Sequence, residues 1–201
     1  LYKNEFVVFS PETFVKIKDG LISSFPMKGT IDASIPDAEE ILLSDEKEIA
    51  EHNTIVDLIR NDLSIVSKNV RVEKFRFIDK LVTNEKILLQ VSSKIVGELE
   101  KNYNEKIGSI IFSLLPAGSI SGAPKRKTVE IIHNVEIDKR GYYTGIFGLF
   151  DGYNLDSAVM IRFIENKNGE FFYRSGGGIT FLSNPYSEYQ ELIDKVYVPI
   201  N

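Results

Sequence analysis

Two pairs of glutamates recur at a spacing of three residues, in segments whose apolar periodicity predicts helices. The first pair is Glu48 and Glu51, and the second is Glu188 and Glu191. Because residues three apart share one helix face, each pair presents two carboxylates together. If the two helices face each other, four carboxylates need a cation between them, and an all-oxygen ligand set suits Mg²⁺. The same spacing is common on solvated helix faces, so spacing alone does not decide between the two interpretations.

A second candidate for chemistry is the stretch of small residues from 116 to 125, which runs into a predicted helix. Small residues let a ligand approach the backbone, and a helix N-terminus offers free N–H groups and a positive dipole end to an anion. Lys125 and Arg126 strengthen that preference. A tight turn capped by serines explains the same residues without a ligand. The glycine run 176–178 likewise fits either a close ligand or a bulge.

Lys28 lies between Pro26, whose ring restricts the backbone, and Gly29, which allows conformations that other residues avoid. A lysine becomes a nucleophile when desolvation or neighbouring cations lower its pKa. A solvated surface lysine is the alternative, and composition by itself favours that alternative.

The elements that must position these residues are strands interspersed with helices. Strands are predicted at 5–9, 13–17, 70–78, 143–151, 155–165 and 169–174, and turn residues join the last three into an antiparallel meander. Helices are predicted at 44–63, 87–101, 124–135 and 185–198. No repeat or linker divides the chain, so we predict one α+β domain over residues 1–201.

The composition excludes several classes of protein and site. The chain has 201 residues, of which 43% are hydrophobic and 26% charged, as in an ordinary globular domain. A net charge of −5 argues against broad attraction to nucleic acid or an anionic membrane. The absence of cysteine excludes disulfides, thiolate catalysis and cysteine-based zinc sites, and two histidines argue against a histidine-rich metal site. With only short apolar stretches and no targeting motif, a cytoplasmic protein is expected.

In their order along the chain, these motifs resemble the chorismate-utilising enzymes, a family that includes aminodeoxychorismate, anthranilate, isochorismate and salicylate synthases. The motifs are Ser10-Pro11-Glu12, Pro26-Met27-Lys28-Gly29-Thr30, Glu51-His52 with the segment 57–62, the loop 118–125, the run 176–179, and 188–191 with Lys195. The resemblance implies two large packed antiparallel β-sheets with helices outside. It also implies further strands before Ser10, so we expect this chain to be the C-terminal, chorismate-binding portion of such an enzyme.

The resemblance also implies a role for each candidate residue. Lys28 matches the nucleophile of aminodeoxychorismate synthase component I, and Glu12 matches the general acid that protonates the leaving hydroxyl. Glu51 and Glu191 match direct Mg²⁺ ligands, with Glu48 and Glu188 bonding through water or in support. The implied substrate-binding residues are Thr30, Ser119, Tyr143, Arg162, Gly176, Gly177, Gly178 and Lys195. The segment 57–62 is interpreted as a structural helix end.

Lys28 favours one branch of the family, because anthranilate synthases usually carry alanine at that position. The expected reaction converts chorismate and ammonia to 4-amino-4-deoxychorismate, on the route to para-aminobenzoate and folate. Ammonia is expected from a glutamine amidotransferase partner, as in the relatives. Gln90 stands where many relatives have histidine. Anthranilate synthase component I and a truncated, non-catalytic chorismate-binding fragment are the alternatives; isochorismate or salicylate synthase fits less well, since its Gly-Thr motif normally lacks the lysine.

Overall fold

The computed structural model describes residues 3–82, 86–181 and 183–196. In chain order the strands are β1 Phe6–Val8, β2 Thr13–Lys18, β3 Leu21–Ser24, β4 Met27–Asp32, β5 Lys68–Val82, β6 Ile87–Glu98, β7 Ile146–Phe150, β8 Leu155–Val159, β9 Phe163–Lys167 and β10 Glu170–Arg174. The helices are α1 Ala38–Ser44, α2 Glu46–Val66, α3 Ile107–Leu114, α4 Gly118–Ser121, α5 Lys125–Val135 and α6 Pro185–Asp194, with a 3₁₀ turn at Tyr103–Lys106.

The strands form two antiparallel sheets. The larger sheet has the order β4-β6-β3-β2-β8-β7, and β5 also pairs along β6. The smaller sheet has the order β1-β9-β10. The prediction of an α+β fold with two antiparallel sheets is confirmed, although the smaller sheet has only three strands within the described residues.

Helix α2 packs its apolar face on the large sheet. Asp45 caps this helix by accepting a hydrogen bond from the Glu48 N–H at 3.0 Å. Its buried positions are His52, Val56 and Leu63, which lie on one helix face. Val56 and Leu63 join a core with strand and α3 side chains. Glu48 and Glu51 lie beside this buried face, Glu48 one turn before His52, and both side chains are partly exposed.

Two predicted elements were wrong. The segment predicted as a helix at 87–101 is strand β6, which pairs with β5 along one side and with β4 and β3 along the other. Apolar residues lie at both helical and strand spacings there, and pairing on both edges decides for the strand. The predicted meander is split, because β7–β8 belong to the large sheet and β9–β10 to the small one. Between them the chain turns at Arg162, whose φ is 52°.

The remaining differences concern elements that the apolar pattern does not reveal. Strands β3 and β4 and helices α1, α3 and α4 were not predicted. The helix predicted at 185–198 ends earlier, at Asp194, with Lys195 as its C-cap, and residues 197 and 198 lie outside the described residues. Within the described ranges no single helix has the length and apolar content to cross a membrane; the segments 103–121 and 125–135 reach those limits only together, across a 70° bend.

Candidate functional site

Glu12 immediately precedes β2 and lies next to the short helix α4. Its carboxylate accepts a hydrogen bond from the Ser119 hydroxyl on α4. Burial raises the pKa of Glu12 above the ordinary glutamate value, while the Ser119 hydrogen bond and the nearby charge of Lys28 lower it by a smaller amount. Glu12 therefore keeps its proton to higher pH than an exposed glutamate does, as a general acid requires.

Lys28 on β4 contacts Glu51, one of the two paired glutamates of α2. Its Nζ lies 3.0 Å from Glu51 Oε2, and Lys47 Nζ lies 3.9 Å from the other oxygen of the same carboxylate. Both side chains of the Lys28–Glu51 pair are partly exposed, at 45% and 34%. The predicted nucleophile, acid and metal-binding glutamate thus come together from three separate segments.

Gly29 permits the close approach of β4 to helices α1 and α2. Its φ is +70°, in a region that favours glycine, and the pairing of β4 with β6 shifts register at this residue. A Cβ at this position would lie 2.9 Å from Leu42 Cδ1 and 3.2 Å from Glu48 Oε2. The glycine therefore lets β4 lie directly against α1 and α2.

A second group of predicted residues meets around the start of the glycine run. Lys195 forms an ion pair with Glu191, and its Nζ donates to the Gly176 carbonyl at 3.4 Å. A Cβ on Gly177 would lie 3.6 Å from Glu188 Oε2. The Lys195 carbonyl accepts a hydrogen bond from Arg162 Nη1 at 2.6 Å.

Tyr143 packs against the other side of the glycine run. A Cβ on Gly176 would overlap the Tyr143 hydroxyl oxygen and lie 2.9 Å from Cζ. Burial raises the pKa of Tyr143, and Arg162 lies near enough for its charge to lower that pKa slightly. Tyr143, Arg162 and the glycine run, which were predicted to hold one carboxylate of the substrate, therefore lie together.

The two glutamate pairs occupy helices α2 and α6, as predicted. Within the described residues no group of three or more His, Cys, Asp or Glu side chains converges as a metal site. Instead, Glu51 is paired with Lys28 and Glu191 with Lys195. The oxygen donors fit Mg²⁺ in chemical type, and the gathering of all four around one ion stays a prediction.

Thr30 lies two residues after Lys28 on β4, beyond the shift in the pairing register with β6. It is opposite Gln90 on β6, and the Gln90 Nε2 to Thr30 Oγ1 distance of 3.5 Å is at the limit of a hydrogen bond. The residue that replaces the expected histidine is therefore beside a predicted substrate-binding threonine.

Lys125, whose charge was predicted to favour an anion, is bonded to protein groups. Lys125 Nζ lies 2.7 Å from Asp62 Oδ2 and donates to the Leu114 carbonyl at 3.2 Å. This contact ties the loop to α2. The segment 57–62 is not a helix end, because α2 continues to Val66. Its Arg60–Asp57 pair at 2.7 Å is a local contact, as predicted, whereas Asp62 pairs with the distant Lys125.

His52 is a residue for which no role was predicted. It is 1% exposed, its Nε2 lies 2.7 Å from Ser93 Oγ, and that oxygen also accepts a hydrogen bond from the Arg76 N–H at 2.9 Å. Burial, with smaller contributions from Arg76 and Lys28, lowers the pKa of His52 to about 4. The signal in the sequence was its place on the apolar face of α2, four residues before Val56.

The comparisons with known proteins agree on one family. Residues 1–201 match the family described as "chorismate binding enzyme". The chain is 58% identical over 198 residues to an "Uncharacterized PabA-like protein" of Haemophilus influenzae, covering 98% of this chain and 60% of that protein. It is 39% identical over 197 residues to "Aminodeoxychorismate synthase component 1" of Bacillus subtilis, covering 94% and 40% of the two chains.

A solved structure leads to the same fold. The crystal structure of anthranilate synthase component I from Streptococcus pneumoniae has a TM-score of 0.83 at 33% identity, covering 97% of this chain and 43% of that chain. The chain thus spans between 40% and 60% of the lengths of these relatives.

Proposed function

The chain belongs to the chorismate binding enzyme family, and on that premise we propose that it is the C-terminal portion of an aminodeoxychorismate synthase component I. The proposed reaction converts chorismate and ammonia to 4-amino-4-deoxychorismate. The observation that carries the proposal is the position of Lys28, 3.0 Å from Glu51 and close enough to Glu12 to influence the pKa of that carboxyl. An amine and a proton-retaining acid beside one another are what a two-step displacement needs.

In the first proposed step, the Lys28 amine forms a bond to ring C2 of chorismate. The ring double bonds shift, the C4–O bond breaks, and Glu12 supplies the proton with which the hydroxyl leaves as water. Ammonia then bonds to C4, the double bonds shift back, and the C2–N bond to Lys28 breaks while the surplus proton of the entering ammonia is released. Lys28 must first leave its Glu51 contact and give up its proton, since the ammonium form has no lone pair.

The second group of residues is assigned to the enolpyruvyl carboxylate of chorismate. Arg162 offers a planar guanidinium, which suits a carboxylate. The Tyr143 hydroxyl and the backbone N–H groups of Gly176–Gly178 are hydrogen-bond donors in the same place. Ser119 keeps its contact with Glu12, and Lys195 stands beside Gly176.

In this proposal Glu51 and Glu191 hold Mg²⁺, with Glu48 and Glu188 in support. When bound, the ion neutralises and orients the ring carboxylate of chorismate. The proposed ammonia source is a glutamine amidotransferase subunit. The name "component 1" of the Bacillus subtilis relative supports the existence of a second component. Failure of any amidotransferase from the same source to co-purify or to confer glutamine-dependent activity would contradict that partner.

The likeness to the Streptococcus pneumoniae structure favours a second candidate function, anthranilate synthase component I. In that case Lys28 is a charged neighbour of the site and not its nucleophile. The two candidates differ in product, so one assay separates them.

The test incubates the protein with chorismate, Mg²⁺ and ammonium and identifies products by chromatography and mass. Lys28→Ala is compared with Lys47→Ala, which removes the more distant lysine contact of Glu51. Formation of 4-amino-4-deoxychorismate, lost in Lys28→Ala and retained in Lys47→Ala, supports the proposal. Anthranilate would establish the second candidate. Mg²⁺-dependent chorismate binding without any product would mean a non-catalytic fragment.

A further inference from the structure

The guanidinium of Arg140, just after α5, is held from two sides. Its Nε and Nη2 donate to the two carboxylate oxygens of Glu136 at 2.7 and 2.5 Å, and its Nη1 donates to Thr144 Oγ1 at 2.9 Å. A guanidinium that is hydrogen-bonded on two sides in this way has little rotational freedom. Arg140 is therefore a fixed group at a turn in which the Thr144 N–H also donates to the Met160 carbonyl at 2.9 Å.

Arg140 lies over the ring of Tyr143. Its Cζ is 5.6 Å from the ring centroid, within the range of a cation–π contact. The Tyr143 N–H also donates to the Arg140 carbonyl at 3.0 Å. Backbone and side chain of Arg140 together determine where the phenol points.

The tip of that phenol abuts Gly176, where a Cβ would overlap it. On its other side, Gly176 is held by Lys195 Nζ, which donates to its carbonyl at 3.4 Å. The preceding residue is held as well, because the Ser175 hydroxyl donates to the Leu192 carbonyl on α6 at 3.1 Å. The backbone at 175–176 therefore lies between Tyr143 and α6.

We propose that Arg140 is a positioning residue, which through Tyr143 sets the course of the Gly176–Gly178 backbone. Glu136 and Thr144 orient Arg140, and Arg140 orients the phenol of Tyr143. The phenol in turn contacts Gly176, at the start of the glycine run. The consequence for the substrate rests on the proposed function, in which Tyr143 and this backbone bind a carboxylate of chorismate.

The first test compares Arg140→Met with Arg71→Met, which removes another ion-paired arginine, on β5, 3.6 Å from Glu98. Hydrogen–deuterium exchange of peptides covering 175–178 is expected to accelerate in Arg140→Met and not in Arg71→Met. Arg140→Lys, which keeps the charge but loses the fork, should exchange like Arg140→Met. Unchanged exchange at 175–178 in Arg140→Met would overturn the proposal, and this readout needs no substrate.

The same variants give a kinetic test. If the glycine run binds chorismate, Arg140→Met should raise KM about tenfold with a smaller change in kcat, since it removes binding support and no reacting group. A fall in kcat with KM unchanged would contradict a positioning role. Altered exchange in a protein that turns over no chorismate would leave the positioning role standing and reject the proposed function instead.

A second test uses the contact with Gly176 itself. Gly176→Ala should lower the unfolding temperature, because its Cβ overlaps the phenol, and Tyr143→Phe should recover part of that loss in the double variant. Gly178→Ala is the control, since a Cβ there meets no atom within 4 Å. Equal effects of the two alanines, or no recovery in the double variant, would overturn the contact on which the proposal depends.

Discussion

At the scale of single residues, burial and charge prepare Glu12 and Lys28 for different tasks. Burial raises the pKa of Glu12, and Ser119 moderates that rise by donating to its carboxylate. Lys28 is partly exposed and paired with Glu51. The acid is therefore ready in the ligand-free protein, whereas the amine is held by the carboxylate that is assigned to the metal.

The Glu12–Ser119 contact predicts a shift in the pH dependence of activity. A general acid works while protonated, so kcat/KM should fall as pH rises through the pKa of Glu12. Ser119→Ala removes a contact that lowers this pKa, so the alkaline limb should move to higher pH. Glu12→Gln should lower kcat by about 10²–10⁴-fold. Ser113→Ala, on the exposed side of α3, is the control. An alkaline limb that stays in place in Ser119→Ala would contradict the role of Glu12.

The Lys28–Glu51 pair predicts that lysine and metal compete. Lys28→Met removes both a partner of Glu51 and a positive charge, so Mg²⁺ should bind about tenfold more tightly, as expected for the loss of one charge contact near the surface. Calorimetric titration with MgCl₂ measures this without substrate. Lys16→Met, which removes a 3.0 Å pair with Asp156 on the large sheet, is the matched control. Unchanged or weaker Mg²⁺ binding in Lys28→Met would refute the assignment of Glu51.

At the scale of elements, α2 connects the core to the candidate site. Its buried face carries His52 and Val56, and beside that face Glu48 and Glu51 lie against β4. The Asp62–Lys125 pair, with side chains 14% and 22% exposed, ties the same helix to the start of α5. Because α2 is held by sheet, loop and capping residue at once, its glutamates have a fixed position relative to Lys28.

The closeness of β4 to α1 and α2 predicts a specific sensitivity at Gly29. Gly29→Ala should lower the free energy of unfolding by about 2–3 kcal/mol, through a positive φ and a Cβ only 2.9 Å from Leu42 Cδ1. Gly20 also has a positive φ, of 80°, but the nearest atom to its Cβ is 3.8 Å away. Gly20→Ala should therefore show only the conformational part, about 1 kcal/mol. Equal losses for the two variants in urea denaturation would exclude a steric role for Leu42.

At the scale of the whole molecule, the large sheet joins segments that are far apart in the chain. Strand β2 pairs with β8, and the Ser157 hydroxyl donates to the Val15 carbonyl at 2.6 Å across 142 residues of sequence. The candidate site draws on this closure, since Glu12 precedes β2 and Arg162 follows β8. The site can form only when the sheet has formed, so its integrity depends on global stability.

Buried His52 predicts how that stability varies with pH. The pKa of His52 is lowered from 6.5 to about 4 in the folded protein, so the neutral ring is favoured by folding. This contribution is fully present above pH 6.5 and is lost as pH falls towards 4, by an amount on the order of 3 kcal/mol. Urea denaturation at pH 7.5 and 4.5 measures it.

His52→Gln should flatten this dependence in part, whereas His133→Gln, at the exposed end of α5, should keep it. If the two variants show the same pH dependence as the unmodified chain, His52 does not titrate with unfolding as inferred.

Local patterns in the sequence were sufficient to predict the helices α2, α5 and α6. In these segments a cap or a proline marks the start, and in α2 the apolar residues follow helical spacing over several turns. The order of the short motifs from Ser10 to Lys195 was sufficient for the family, because each motif is read from neighbouring residues. Pairing of Glu48 with Glu51 on one helix face was likewise determined by a spacing of three.

Tertiary structure alone decided β6, whose residues suit a helix or a strand until β5, β4 and β3 bond to its edges. It also decided that Lys125 forms an ion pair with Asp62 and that Tyr143 packs against Gly176. These contacts join residues 63 and 33 positions apart. Periodicity describes only what a residue does within its own element, whereas hydrogen bonding between strands and contact between distant side chains depend on how the elements pack.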